Sequence, residues 1–156
     1  MRKIQLAGMV VLALLLTGCS ELGLQATTCM LYEDLRDPSA KADVADLVIV
    51  GENLGNDGVS PLYGVDATAH TIRVDEVMRG DIDQAEIRVL SSPDACAADD
   101  LYPEGDPLAA TGVAQFFLTR IDGQWTSVSP FVGAEPLGPN GELHWDPAAP
   151  SPTPTP

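Results

Sequence analysis

Leu47-Val48-Ile49-Val50-Gly51 is an apolar, largely β-branched run closed by a glycine. It is too short for an independent helix and reads as a buried strand. Asn53-Leu54-Gly55-Asn56-Asp57-Gly58 follows, rich in residues that tolerate positive φ, so the chain is expected to leave the sheet there. Within Thr68–Met78, Ile72 and Val74 alternate with Thr71, Arg73 and Asp75. Val77 falls out of phase, which predicts a bulge near Asp75-Glu76. Arg79-Gly80-Asp81 makes the next turn; as an adhesion tripeptide it is read as coincidence.

Working outward, Glu86-Ile87-Arg88-Val89-Leu90 is a third strand with Ile87 and Val89 inward. Val113–Ile121 is a fourth, Asp122-Gly123 the strongest hairpin signal, and Gln124–Ser129 a fifth that carries Trp125 as a large anchor. A last hairpin is expected around Pro139-Asn140-Gly141, with Leu143 and Trp145 beyond it. Before the first strand, Asp37-Pro38-Ser39 opens a short helix near residues 38–46 that carries Val44 inward. The predicted fold is all-β: a small OB-like barrel of five to seven short strands with one short helix.

Arg2 and Lys3 precede an almost wholly apolar run, Ile4–Leu16, which ends on Thr17-Gly18-Cys19. The run is too short to span a bilayer before Gly18, Cys19, Ser20 and Glu21 break it. The layout is that of a secretion signal, with plain secretion as the alternative. Leu16-Thr17-Gly18-Cys19 resembles a bacterial lipobox. That resemblance implies cleavage before Cys19, a diacylglyceryl thioether on its sulfur, and further acylation with a fatty acid such as palmitate. The expected location is the extracytoplasmic face of the cell membrane, with the lipid as anchor. The expected divisions are a signal peptide (1–18), a tether (19–28), one barrel domain (29–145) and a proline-rich disordered tail (146–156).

Loss of the signal leaves six basic residues against 23 acidic ones, a charge of about −17. So acidic a surface repels nucleic acid, whose binding requires Lys and Arg to neutralise phosphates. With Cys19 lipidated, Cys29 and Cys96 remain as an even pair in an oxidising compartment. A disulfide between them, with 66 residues enclosed, contributes roughly 4 kcal/mol through the entropy of the unfolded chain. Neither cysteine has a CxxC partner or a nearby histidine, so no metal site is expected.

Ala45–Gly51, His70–Asp81, Glu86–Val89 and Cys96 together resemble the OB barrel of netrin modules and tissue inhibitors of metalloproteinases, as found in secreted bacterial proteins. The shared pattern is a valine-rich strand ending in glycine, a V-x-x-V-x-[KR]-G-D second strand, and a cysteine after the third. It covers about residues 29 to 130. Metalloprotease inhibition does not follow from it, because that chemistry needs a free amino-terminal cysteine. Here Cys29 is internal and Cys19 is expected to carry lipid.

The sequence contains no GxSxG elbow, HExxH or phosphate loop. His70 and His144, each on or near a predicted strand, read as surface or part-buried strand residues rather than ligands or general bases. Asp94, Asp99, Asp100, Glu104 and Asp106 form the densest acidic stretch, without the spacing of a calcium loop. Tyr102 within it reads as packing over the barrel end, with a binding tip as the alternative. The expectation is a non-enzymatic, lipid-anchored binding or accessory module without catalytic residues, metal or cofactor. Its expected partner is a protein or polysaccharide. The alternatives are a cation-binding protein or small enzyme using the 94–106 loop, and an acidic surface-coat lipoprotein.

Overall fold

In the computed structural model the described residues are 32, 35–97 and 100–148. Helix α1 (Pro38–Val44) is followed by strands β1 (Leu47–Leu62), β2 (Val65–Arg79), β3 (Glu86–Leu90), β4 (Val113–Ile121), β5 (Gln124–Ser127) and β6 (Ala134–Pro136). The strand order is β1-β2-β3-β5-β4-β6, and an additional β1–β4 pairing closes the first five strands into a ring. Every pair is antiparallel except β3–β5, which is parallel and brief: only Val89↔Trp125 and Leu90↔Thr126 are in register. The fold is a small all-β, barrel-like one. Among the described residues no helix is long and apolar enough to cross a membrane.

The unbroken apolar run in β1 has a simple cause. Leu47 and Ile49 point into the barrel with Ile72, Val89, Phe116 and Leu118. Val48 points out, but α1 covers that face, and Val48 packs with Phe117, Ala42, Ala45 and Leu35. A strand buried on both faces loses polar alternation. Beyond Gly51 the cover ends, and residues 54–59 are exposed.

Three local expectations are corrected. The chain does not leave the sheet at 53–58: β1 runs on to Leu62, and the reversal is at Tyr63-Gly64, with φ of 54° and 82°. Gly55 and Gly58 take positive φ within the strand, where the register with β2 shifts. They act as bulge glycines rather than a turn. Asn53 and Asn56 hold the bulges by accepting the amide N–H groups of Gly55 and Gly58, each at 2.8 Å. Second, Val44 is 44% exposed. The inward face of α1 is instead Lys41 and Ala42, because Asp37 caps the helix by accepting from Ser39 and Ala40 and so sets its phase. Third, Pro139-Asn140 does form a turn, closed by Gly138 N–H donating to Glu142 O at 2.9 Å, but no strands flank it. The last strand is β6, on β4. The bulge expected near Asp75-Glu76 is present: the register passes from Glu76 to Val74 and leaves Asp75 unpaired.

Candidate functional site

The tight Asp122-Gly123 turn, with φ of 49° and 80°, is the left-handed pair that a two-residue hairpin requires. It sets Ile121 opposite Gln124 and Arg120 opposite Trp125. The Trp125 ring packs against the barrel core, and the Arg120 guanidinium lies over it, 4.7 Å from the ring centroid. Asp46 fixes the local backbone by accepting the Arg120 amide N–H and the Thr119 hydroxyl, both at 2.8 Å.

Because β3 and β5 share so few register positions, the barrel wall opens beside this hairpin. A groove of about 310 Å³ lies there, lined among others by Gln84, Glu86, Arg88, Arg120, Gln124 and Trp125. The outer part of β1 ties onto it. Ser60 Oγ donates to Gln124 Oε1 at 3.2 Å, and Arg88 Nε donates to Asp57 at 2.8 Å. The groove therefore lies between two elements that fold against each other, on the framework β3 supplies.

The cations of this acidic chain are almost all engaged elsewhere. Lys41 is buried on Glu135 and under the Phe117 ring. Arg73 bridges Glu52 and Asp75, Arg79 donates to Ala42 O, Arg88 holds Asp57, and Arg36 also has a partner. Among the described residues, the Arg120 guanidinium meets no carboxylate or carbonyl oxygen and contacts the Trp125 ring instead.

The second polar constellation is internal. His70, on β2, is buried; its Nε2 donates to Asp106 Oδ2 at 2.9 Å. Ser91 Oγ donates to Asp106 Oδ1 at 2.5 Å, and the Leu108 amide donates to the same oxygen at 3.0 Å. Asn53 Nδ2 donates to His70 Nδ1 at 3.0 Å and to Leu108 O at 2.8 Å. The Gly55 amide holds the Asn53 oxygen, so the amide orientation is set: Asn53 Nδ2 faces His70 Nδ1, and His70 Nε2 is the nitrogen that faces Asp106. Burial resists ionisation of Asp106, but the hydrogen bonds from His70, Ser91 and Leu108 outweigh it and hold the carboxyl below its ordinary range. The carboxylate lies between serine and histidine. In a nucleophilic triad the histidine must be in the middle to take the serine proton. This set clamps the 91–108 loop to β2.

The other carboxylates of the acidic stretch also serve the loop. Asp94 accepts the Cys96 amide N–H at 3.1 Å, and Asp100 accepts that of Tyr102 at 3.0 Å. Tyr102 packs as expected from its structural reading: its hydroxyl donates to Ser91 O and accepts from Thr68 N–H. Glu104 instead lines a second cleft of about 310 Å³ with Tyr32, Leu35, Arg36, Phe131 and Val132. Among the described residues, no three His, Cys, Asp or Glu side chains are placed to hold a metal ion. Cys19, Cys29 and Asp99 lie outside the described residues; Cys96 is in an exposed turn. His144 donates from Nε2 to Pro136 O at 2.7 Å and lies 3.0 Å from Glu135 through Nδ1.

Trp125 is legible in the sequence as a large anchor, whereas the groove and Arg120 are not. A signal for the Arg120–Trp125 pairing was present: a two-residue Asp-Gly turn pairs the second residue before it with the second after it. No protein-family description, curated protein or solved structure matches this chain.

Proposed function

We propose that this protein is a lipid-anchored extracytoplasmic binding module that holds its ligand in the groove beside Trp125. The carrying observation is the lone Arg120 guanidinium on Trp125, with the Gln124 amide beside it, in an open groove. Pockets that combine an aromatic wall with a few convergent polar groups are ordinary ligand sites. The lipobox at Leu16–Cys19 supports anchorage through lipid on Cys19 at the outer face of a bacterial membrane. The ring order supports an OB-type barrel of netrin kind, and Cys29 with Cys96 is assigned as its disulfide. A non-enzymatic role fits the Ser91–Asp106–His70 order, which supports the loop and activates no nucleophile.

The test is photo-crosslinking of the full chain in intact cells, with the probe at position 84 in the groove. A partner captured by wild type, reduced by Arg120→Glu and lost from the membrane fraction in Cys19→Ala, is the expected result. Capture unchanged by Arg120→Glu would move the binding site elsewhere. Cys19→Ala protein that stayed membrane-bound would overturn the anchor.

A further inference from the structure

The chemistry of the groove narrows the ligand, on the premise that this is the binding site. The Arg120 guanidinium carbon lies 4.7 Å from the Trp125 ring centroid. A guanidinium engaged with a ring through its face can still present an N–H edge, because those donors lie in its own plane. That edge matches a carboxylate, which takes two parallel N–H bonds. Within the described structure the Arg120 edge has no acceptor. Gln124 has its oxygen occupied by Ser60, which leaves its amide N–H groups as donors. Gln84, exposed at the wall, adds an amide that both donates and accepts. The groove thus offers one cationic fork and neighbouring amides, the complement of one carboxylate set among hydroxyls.

The remaining charges set a limit. Arg88 is already neutralised by Asp57, and Glu86 is an acid on the same wall. The chain carries a formal net charge of −15. A dense polyanion therefore meets one receptive cation and repulsion everywhere else, and screening over roughly 8 Å at physiological salt removes only the long-range part. A ligand with isolated carboxylates escapes this penalty. We infer that the groove binds a uronic-acid residue within an otherwise neutral glycan, its carboxylate on Arg120 and its hydroxyls on Gln84 and Gln124.

Calorimetric and NMR titration of the detergent-solubilised mature lipoprotein tests this with three probes. These are a glucuronic-acid-containing disaccharide, the corresponding neutral disaccharide, and a blocked peptide with one glutamate. The acidic disaccharide should bind at least about tenfold more tightly than the neutral one. Arg120→Gln should abolish that preference, and Arg120→Lys should restore only part of it, since lysine keeps charge but not the fork. The Trp125 indole resonance should move with the acidic sugar, and thermal unfolding of both variants should match wild type. Equal affinity for the two sugars, or a preference that survives in a folded Arg120→Gln, overturns the inference. So does binding of the glutamate peptide with both sugars ignored. If those sugars fail while cellular crosslinking still depends on Arg120, the binding-module reading stands and only the ligand class falls. If crosslinking is indifferent to Arg120, both fall.

Discussion

A methyl group on Gly51 would sit 2.0 Å from the carbonyl oxygen of Arg73, so β1 and β2 reach their pairing distance only with glycine there. Gly51→Ala is expected to cost about 3 kcal/mol, the upper range for a forced overpacking, measured as a lowered urea midpoint. Asp106 carries a different dependence. Its folded carboxyl titrates below the unfolded value of 3.8, so its contribution is complete above that value. The contribution disappears as pH falls through the folded one. Wild type should therefore lose stability in acid more steeply than Asp106→Asn, which should start less stable at pH 7 and show a flatter acid limb. A parallel acid limb would remove the clamp role. The loop carboxylates were legible in the sequence as a cluster, but not their direction. Only the fold brings Asp106 to His70, 36 residues away, so that an apparent acidic surface loop directs one of its acids inward.

The β4–β5 hairpin and the carboxy-terminal segment after β6 show what pairing adds at the level of elements. Gly123 has φ of 80°, where a side chain is strained by roughly 1–2 kcal/mol. Gly123→Ala should lower the melting temperature and also loosen the Arg120–Trp125 pair, visible as a shift of the Trp125 indole resonance. The segment after β6 is held differently. Gln115, buried on β4, donates from Nε2 to Trp145 O at 2.6 Å and accepts from Trp145 N–H at 2.9 Å. Gln115→Leu leaves both backbone groups of Trp145 without these partners. Hydrogen exchange at residues 142–148 should rise at least about tenfold, the equivalent of one ordinary hydrogen bond lost. The boundaries of β3 and β4 were legible from the alternation that starts Glu86–Leu90 and from the Asp122-Gly123 turn that ends Val113–Ile121. The length of β1 was not: Asn and Gly signal positive φ alike in turns and in bulges, and only the partner strand distinguishes the two.

Over the whole molecule, charge is the dominant property. With a formal net charge of −15, added salt screens self-repulsion. Thermal stability should therefore rise between low and physiological salt; a fall would mean that the surface pairs of Arg73 and Arg88 matter more than the net charge. By itself the sequence determined the fold class, four strand positions and the acidic charge balance. These rest on local periodicity, turn chemistry and composition, which need no knowledge of distant residues. Tertiary structure alone decided that β3 meets β5 in parallel over two residue pairs. It also decided that the wall opens there and that nearly every cation but Arg120 is engaged. Those outcomes depend on how strands 30 or more residues apart twist and close. That closure is a geometric property of the ring as a whole, and no single segment encodes it.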